Sequence, residues 1–212
     1  MFVVLFYGFA FKDSVAAQTQ EELYSSAIQL MDDEFYDEAG EQFRKAIDSA
    51  PDSEIALFSQ LKIVDIRLKQ SDFEAAVQAA LQAVDRKPKS FDAQFHLAGA
   101  LAKVKRFEKS SHAFEKTVEI RPEEGLGLVG LGVAIFGAGE IDRAVKTIKK
   151  AKKLFKKQRN IPWHRNVRIM INQMNNFSKY PRNFSNLWLE NNMKLIYETY
   201  EKSVFSTASS QK

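Results

Sequence analysis

The sequence predicts an all-α chain of about four stacked helical hairpins, and three observations carry that expectation. Apolar residues return at three- and four-residue steps through most of the chain, the mark of helices with one buried face. Whole hairpin patterns return at a fixed period of 34 residues. Pro51, Pro88 and Pro122 close successive units, where a helix has to stop.

The pattern is clearest between Phe91 and Glu124. Phe91, Gln94, Leu97, Ala98 and Leu101 mark one helical face, and Phe107, Ser110, Phe114, Thr117 and Val118 mark a second. A polar turn at Lys105-Arg106 separates them. Small Ala98, Ser110 and Thr117 let the two helices approach, while Leu101, Phe107 and Phe114 fill the seam. At a distance of 34 residues the same roles fall to Leu131, Gly132, Ile135, Ile141, Ala144, Ile148 and Ala151. At 71 residues upstream they fall to Ala27, Leu30, Tyr36, Ala39, Phe43, Ala46 and Pro51. A helical hairpin of this period resembles the tetratricopeptide repeat family, over roughly residues 20–154. The resemblance implies an α-α superhelix, a solenoid of about four hairpins with C-terminal capping helices, and a class of work, which is holding other proteins.

Taken in order, residues 1–17 are apolar as far as Phe11, too short for the ~20 residues of a spanning helix. Val15-Ala16-Ala17 offers small residues for signal-peptidase cleavage, so an export signal is expected, leading to a periplasm or secretory lumen. No positive charge follows Met1. The alternative is an apolar helix docked on the first repeat of a cytoplasmic protein. Thr19 and Glu22 form a capping box that starts the first helix. The repeats are expected at 20–53, 54–90, 91–124 and 125–154, the second carrying three extra residues near Arg67 to Ser71. Lys156 then stands where proline closed the earlier units. Residues 155–205 are expected to be capping helices or a degenerate fifth repeat, covering the exposed end of the stack. Pro162 opens a helix with Trp163, Val167, Met170, Ile171 and Met174 on its apolar side. A polar linker over 176–186 follows. Ser185 is expected to cap a last helix striped by Leu189, Met193, Ile196, Tyr197, Tyr200 and Val204, with 206–212 as a disordered tail.

The chain has 212 residues, 45% hydrophobic and 27% charged, with a net charge of +4, as expected of a folded repeat domain. The absence of cysteine excludes a disulfide framework, a thiolate metal site, a cysteine nucleophile and a lipid-bearing cysteine. His96, His112 and His164 lie far apart, none with a second ligand at metal spacing, and His96 and His112 read as helix-surface residues, so no metal is expected. No H-E-x-x-H, G-x-S-x-G or phosphate-loop sequence occurs, and no catalytic residue or cofactor is expected. Gly125 to Gly130 spells G-x-G-x-x-G without the preceding strand that dinucleotide binding needs. Those glycines read as close helix contacts or as a loosened first helix.

Two surfaces are candidates for binding. In the family the resemblance points to, the first helix of each hairpin lines a concave groove. By register this places Tyr24, Ile28 and Met31, then Phe58, Lys62 and Asp65, on that face. Phe95, Gly99 and Ala102 follow, then Val129, Val133 and Phe136. The apolar members are expected to hold a partner peptide or helix, unless the C-terminal helices or the N-terminal segment fold back into the groove. The second candidate is the basic helix over 143–159. Its Lys146, Lys149, Lys150, Lys152, Lys153, Lys156 and Lys157 would recruit an acidic protein, a nucleic acid or an anionic membrane. The resemblance also bears on one partner. Asp92 and His96, with Tyr24 and Ile28, stand where some members grip the C-terminal carboxylate of heat-shock chaperones, so that tail is not an expected ligand.

Overall fold

Residues 18–181 and 184–208 of the computed structural model are described here; the expected export signal lies outside them. The helices are α1 (Gln20–Asp32), α2 (Tyr36–Ser49), α3 (Glu54–Lys69), α4 (Phe73–Arg86), α5 (Phe91–Lys103) and α6 (Phe107–Ile120). They continue as α7 (Gly125–Gly137), α8 (Ile141–Lys157), α9 (Ile161–Asn175) and α10 (Phe184–Ala208), with a 3-10 turn at Phe177–Lys179. No strand occurs among the described residues. Each helix packs on the next from α1 to α9, so α1 to α8 form four hairpins in a row.

Local chemistry sets the boundaries. The Thr19 hydroxyl accepts from the Glu22 amide at 3.2 Å, and the Glu22 carboxylate accepts from the Thr19 amide at 2.9 Å. Ser53, Asp72, Ser90 and Asn160 cap α3, α4, α5 and α9 in the simpler way, each side chain accepting an orphan amide of the first turn. Within each hairpin the turn holds one residue in the left-handed region: Glu34, Ser71, Lys105 and Gly139, at φ 65°, 60°, 58° and 89°. The next amide then reaches back to the carbonyl five residues earlier, as Arg106 does to Leu101 at 2.9 Å. This is the Schellman closure that satisfies the last carbonyls of a helix.

The three extra residues of the second repeat lengthen a helix rather than a loop. α3 has 16 residues where α1, α5 and α7 have 13. Lys156 has a similar effect. Without a proline to stop it, α8 runs to 17 residues where α2, α4 and α6 have 14. It closes through Arg159, another left-handed residue, at φ 56°.

The small residues lie at the helix crossings. Ala27, Ala39, Ala46, Ala76, Ala83, Ala98, Ala144 and Ala151 are all fully buried. α7 takes this furthest, as a continuous helix and not a loosened one. A Cβ on Gly130 would stand 2.3 Å from the Phe114 ring, so only glycine lets α7 lie that close to α6. Two details of the C-terminal region differ from the sequence reading. α10 begins at Phe184, which puts Ser185 inside the helix instead of at its cap. It also runs to Ala208, so residues 206–208 are helical; residues 209–212 lie outside the described part.

Candidate functional site

The four first helices α1, α3, α5 and α7 stand side by side, and α10 lies over the C-terminal part of that row. It packs on α7 and α5 and reaches α3 through Tyr197 and Glu201. The sequence dictates this through a stripe at helical spacing: Trp188, Leu189, Met193, Ile196 and Tyr200 are buried on one side of α10. Trp188 meets Phe136 with ring centroids 4.7 Å apart, and its indole N–H donates to Gln173 of α9 at 2.8 Å. Tyr200 lies 4.1 Å from Phe95, centroid to centroid. A Cβ on Gly99 would come within 3.0 Å of the Tyr197 ring, so the glycine is what admits α10 to this depth.

The groove residues expected to face a partner therefore divide into two sets. Phe95, Val129, Val133 and Phe136 are buried, and Phe95 and Phe136 stack directly against α10. They are not an open docking surface with α10 in place. Tyr24, Ile28, Met31 and Phe58 are half-buried. Tyr24 leans on Phe43 at 5.6 Å, and Phe58 packs on the Leu57 and Leu61 side of α3.

At the contact of α3, α5 and α10 sits a buried polar cluster. The Lys62 ammonium lies 3.0 Å from Asp65 Oδ2 and 3.5 Å from Glu201 Oε1. The Tyr197 hydroxyl donates to Asp65 Oδ1 at 2.7 Å. His96, read from sequence as a surface residue, is 1% exposed. Its Nδ1 lies 2.8 Å from the Asp92 carbonyl oxygen, which places a proton on that nitrogen. Its Nε2 has no hydrogen-bond partner and lies 3.6 Å from Asp65 Oδ1. The Tyr200 hydroxyl donates to the Asp92 carboxylate. His96 is buried because α10 covers the α5 face on which it stands.

The charges act on one another. Burial pushes the Asp65 carboxyl up, but Lys62 and then His96 hold it well below the usual carboxylate range. Burial pulls His96 down, and Asp65 more than reverses this, leaving the imidazole above its ordinary value. Burial, then the Asp65 charge, pushes Glu201 up to about 7 against the pull of Lys62. Burial also opposes the Lys62 charge, yet Asp65 and Glu201 leave the ammonium held more firmly than usual. Ligand atoms of Asp65, His96 and Glu201 come within 4.8 Å of one another, a spacing that suits a metal ion. Lys62 already supplies the cation between the two carboxylates, so a metal would first have to expel it. Sequence register had placed Lys62 and Asp65 on the inner face. The signal it offered was a charged pair three residues apart on a helix otherwise rich in Ile, Leu and Val.

The basic candidate lies elsewhere. On α8, Lys146, Lys149, Lys150, Lys153, Lys156 and Lys157 are exposed and Lys152 is half-buried. Val145, Ile148, Ala151 and Phe155 face the core. Exposed Arg165 and Arg168 on α9 carry the charge further, and no acidic residue occurs between Asp142 and Glu190. Ile161 and Ile169 are 76% and 50% exposed among these cations.

Comparison with known proteins agrees with the fold. Residues 61–124 match the family model described as tetratricopeptide repeat. Among solved structures, one of MamA is 24% identical with a TM-score of 0.59, covering 66% of this chain and 81% of that one. The MamA RS-1 double mutant is 14% identical with a TM-score of 0.61, covering 85% and 96%. MamA MSR-1 is 21% identical with a TM-score of 0.55, covering 67% and 80%. No curated protein sequence matches the chain.

Proposed function

We propose that this tetratricopeptide-repeat chain is a non-enzymatic protein-interaction scaffold whose groove receives an amphipathic helix, with α10 as its resident occupant. The observation that carries the reading is the seat itself. α10 covers the α5–α7 part of the groove with an aromatic and aliphatic stripe and leaves its other side in solvent, as in helix-in-groove recognition. A partner helix bearing similar anchors would compete with α10. The tether makes that competition steep, since a short linker gives an effective concentration on the order of millimolar.

The test uses a fluorescent peptide of residues 184–203 as the probe and the full chain as receptor. Wild type, with its groove occupied, should not bind the peptide at micromolar concentration. A Tyr197→Ala/Tyr200→Ala chain, whose own helix is loosened, should bind it, and adding Phe95→Ala should remove that binding. A loosened chain that folds yet ignores the peptide would defeat the proposal.

The acid-free basic surface favours a second reading, an adaptor whose α8–α9 face meets an acidic protein, a nucleic acid or an anionic membrane. The two surfaces are separate, so one does not exclude the other. The groove is the preferred reading because the seating of α10 on α5 and α7 supports it.

A further inference from the structure

We propose that Lys62, Asp65 and His96 form a carboxyl-recognition site in the groove, which takes the Glu201 side chain of α10 together with one proton, so that the helix is seated in acid and loosened as the pH rises through neutrality. The proposal rests on the groove being exchangeable, and it adds what the groove reads and what regulates it.

Charge balance carries the argument. Among the described residues, the charged side chains that meet in the cluster are Lys62 and Asp65 from α3, His96 from α5 and Glu201 from α10. With Lys62 charged and both carboxylates ionised, the site holds one negative charge too many unless His96 or Glu201 carries a proton. Uncompensated charge is costly beside the buried Asp65 and His96, and the 30% exposure of the Glu201 side chain relieves only part of that cost, so seating α10 favours that proton. The remaining described neighbours do not supply it. Tyr197 and Tyr200 are donors committed to Asp65 and Asp92. Asp92 is additionally paired with Arg121 at 3.7 Å. From α1, Tyr24 contributes a phenol whose ionisation burial opposes. The unpartnered His96 Nε2, aimed at Asp65, is where a proton would turn a repulsion between lone pairs into a charge-assisted hydrogen bond.

The direction follows from the shifts. Glu201 is raised from 4.5 to about 7. A raised group supports the seated state fully below its ordinary value, and that support is lost as the pH climbs through the raised one. His96, raised from 6.5, acts in the same sense over a higher range. Glu201 therefore weakens the seat as the pH climbs from its ordinary value through about 7, and His96 adds to this above 6.5. By the same chemistry, an external helix would need a carboxyl one turn beyond a tyrosine to meet Lys62.

Hydrogen exchange on the intact chain tests this, with exchange times scaled to the intrinsic rate at each pH. In the wild type, protection over residues 188–203 should fall about tenfold per pH unit across part of that range, while α5 and α6 change little. Glu201→Gln removes the excess charge, so its α10 should lose clearly less protection than the wild type between pH 5 and 7, keeping only the part of the pH dependence that His96 carries. A flat wild-type profile, or a Glu201→Gln profile that matches the wild type, would overturn the proposal. Zinc that restores α10 protection at pH 8 in the wild type would also overturn it, making the cluster a metal site. The readout needs no partner. A flat profile thus removes the proton but leaves the groove, whereas failure of the peptide titration removes the groove and leaves the profile.

Discussion

Replacing Phe95 with alanine separates the two meanings its position can have. In an open groove the ring would be a partner's anchor, and its loss would leave stability almost unchanged. In the structure it is 0% exposed, with ring neighbours on two sides. Phe91 and Phe114 of the repeats lie at 5.7 and 5.5 Å, while Tyr200 and Tyr197 of α10 lie at 4.1 and 6.3 Å. Truncating a fully buried phenylalanine removes its transfer free energy and leaves a cavity, together costing ~3–5 kcal/mol. That is a large share of the ~5–15 kcal/mol that holds a domain folded. The two sides also predict where the damage goes. Half of the ring's aromatic partners sit on α10, so α10 should loosen before the stack unfolds. Urea unfolding followed by circular dichroism gives the total, and hydrogen exchange gives the distribution. The expected result is a loss of ~3–5 kcal/mol with early deprotection of residues 188–200. A loss under ~1 kcal/mol would refute the reasoning and restore Phe95 to an open surface.

Two glycine substitutions should move stability in opposite directions, read by thermal melting. Gly130→Ala forces a Cβ to within 2.3 Å of the Phe114 ring and should destabilise by ~1–3 kcal/mol despite the better helix propensity. Gly40→Ala meets only the Arg44 guanidinium at 3.7 Å and should stabilise by ~0.5–1 kcal/mol. On the basic face, changing Lys149, Lys150, Lys152 and Lys153 to Glu should abolish retention on an immobilised polyanion without lowering the melting temperature. Wild-type retention should fall steeply with salt, since exposed charges are screened within ~8 Å at physiological ionic strength. Wild type that passes straight through at low salt would leave that face a solvated surface.

The stack was legible in the sequence because each repeat states its own geometry. Ala98, Ser110 and Phe114 are read against Ala27, Ala39 and Phe43, and three independent copies of one pattern leave little freedom. The length of α3 was legible too, as a register shift of three residues. The occupant of the groove was legible only as an alternative, the C-terminal helices or the N-terminal segment. α10 belongs to no repeat, and its stripe of Trp188, Met193, Ile196 and Tyr200 specifies an apolar seat without saying which one. The polar cluster was harder still. Lys62 and Glu201 are 139 residues apart, and Tyr197 and Asp65 are 132 apart. Helical periodicity has no reach over such distances. His96 was misread for the same reason: it lies on the face that α10 covers, and nothing local announces a cover.

A buried ion cluster is a poor way to hold a helix tightly, since well-packed apolar residues of similar volume often do as well or better. Its presence in this seat therefore argues for a different benefit. A purely apolar stripe tolerates a slip of one helical turn, because residues four apart present similar surfaces. Tyr197 and Glu201 are four apart, and each meets a different group, the first Asp65 and the second Lys62. A slip of one turn would bring Glu201 or Met193 to Asp65 in place of the tyrosine donor. The cluster thus fixes the register of α10 while keeping its hold modest. On the proposed reading the groove releases its own helix to a partner, which takes both properties, and a core made only of leucine and phenylalanine would give neither.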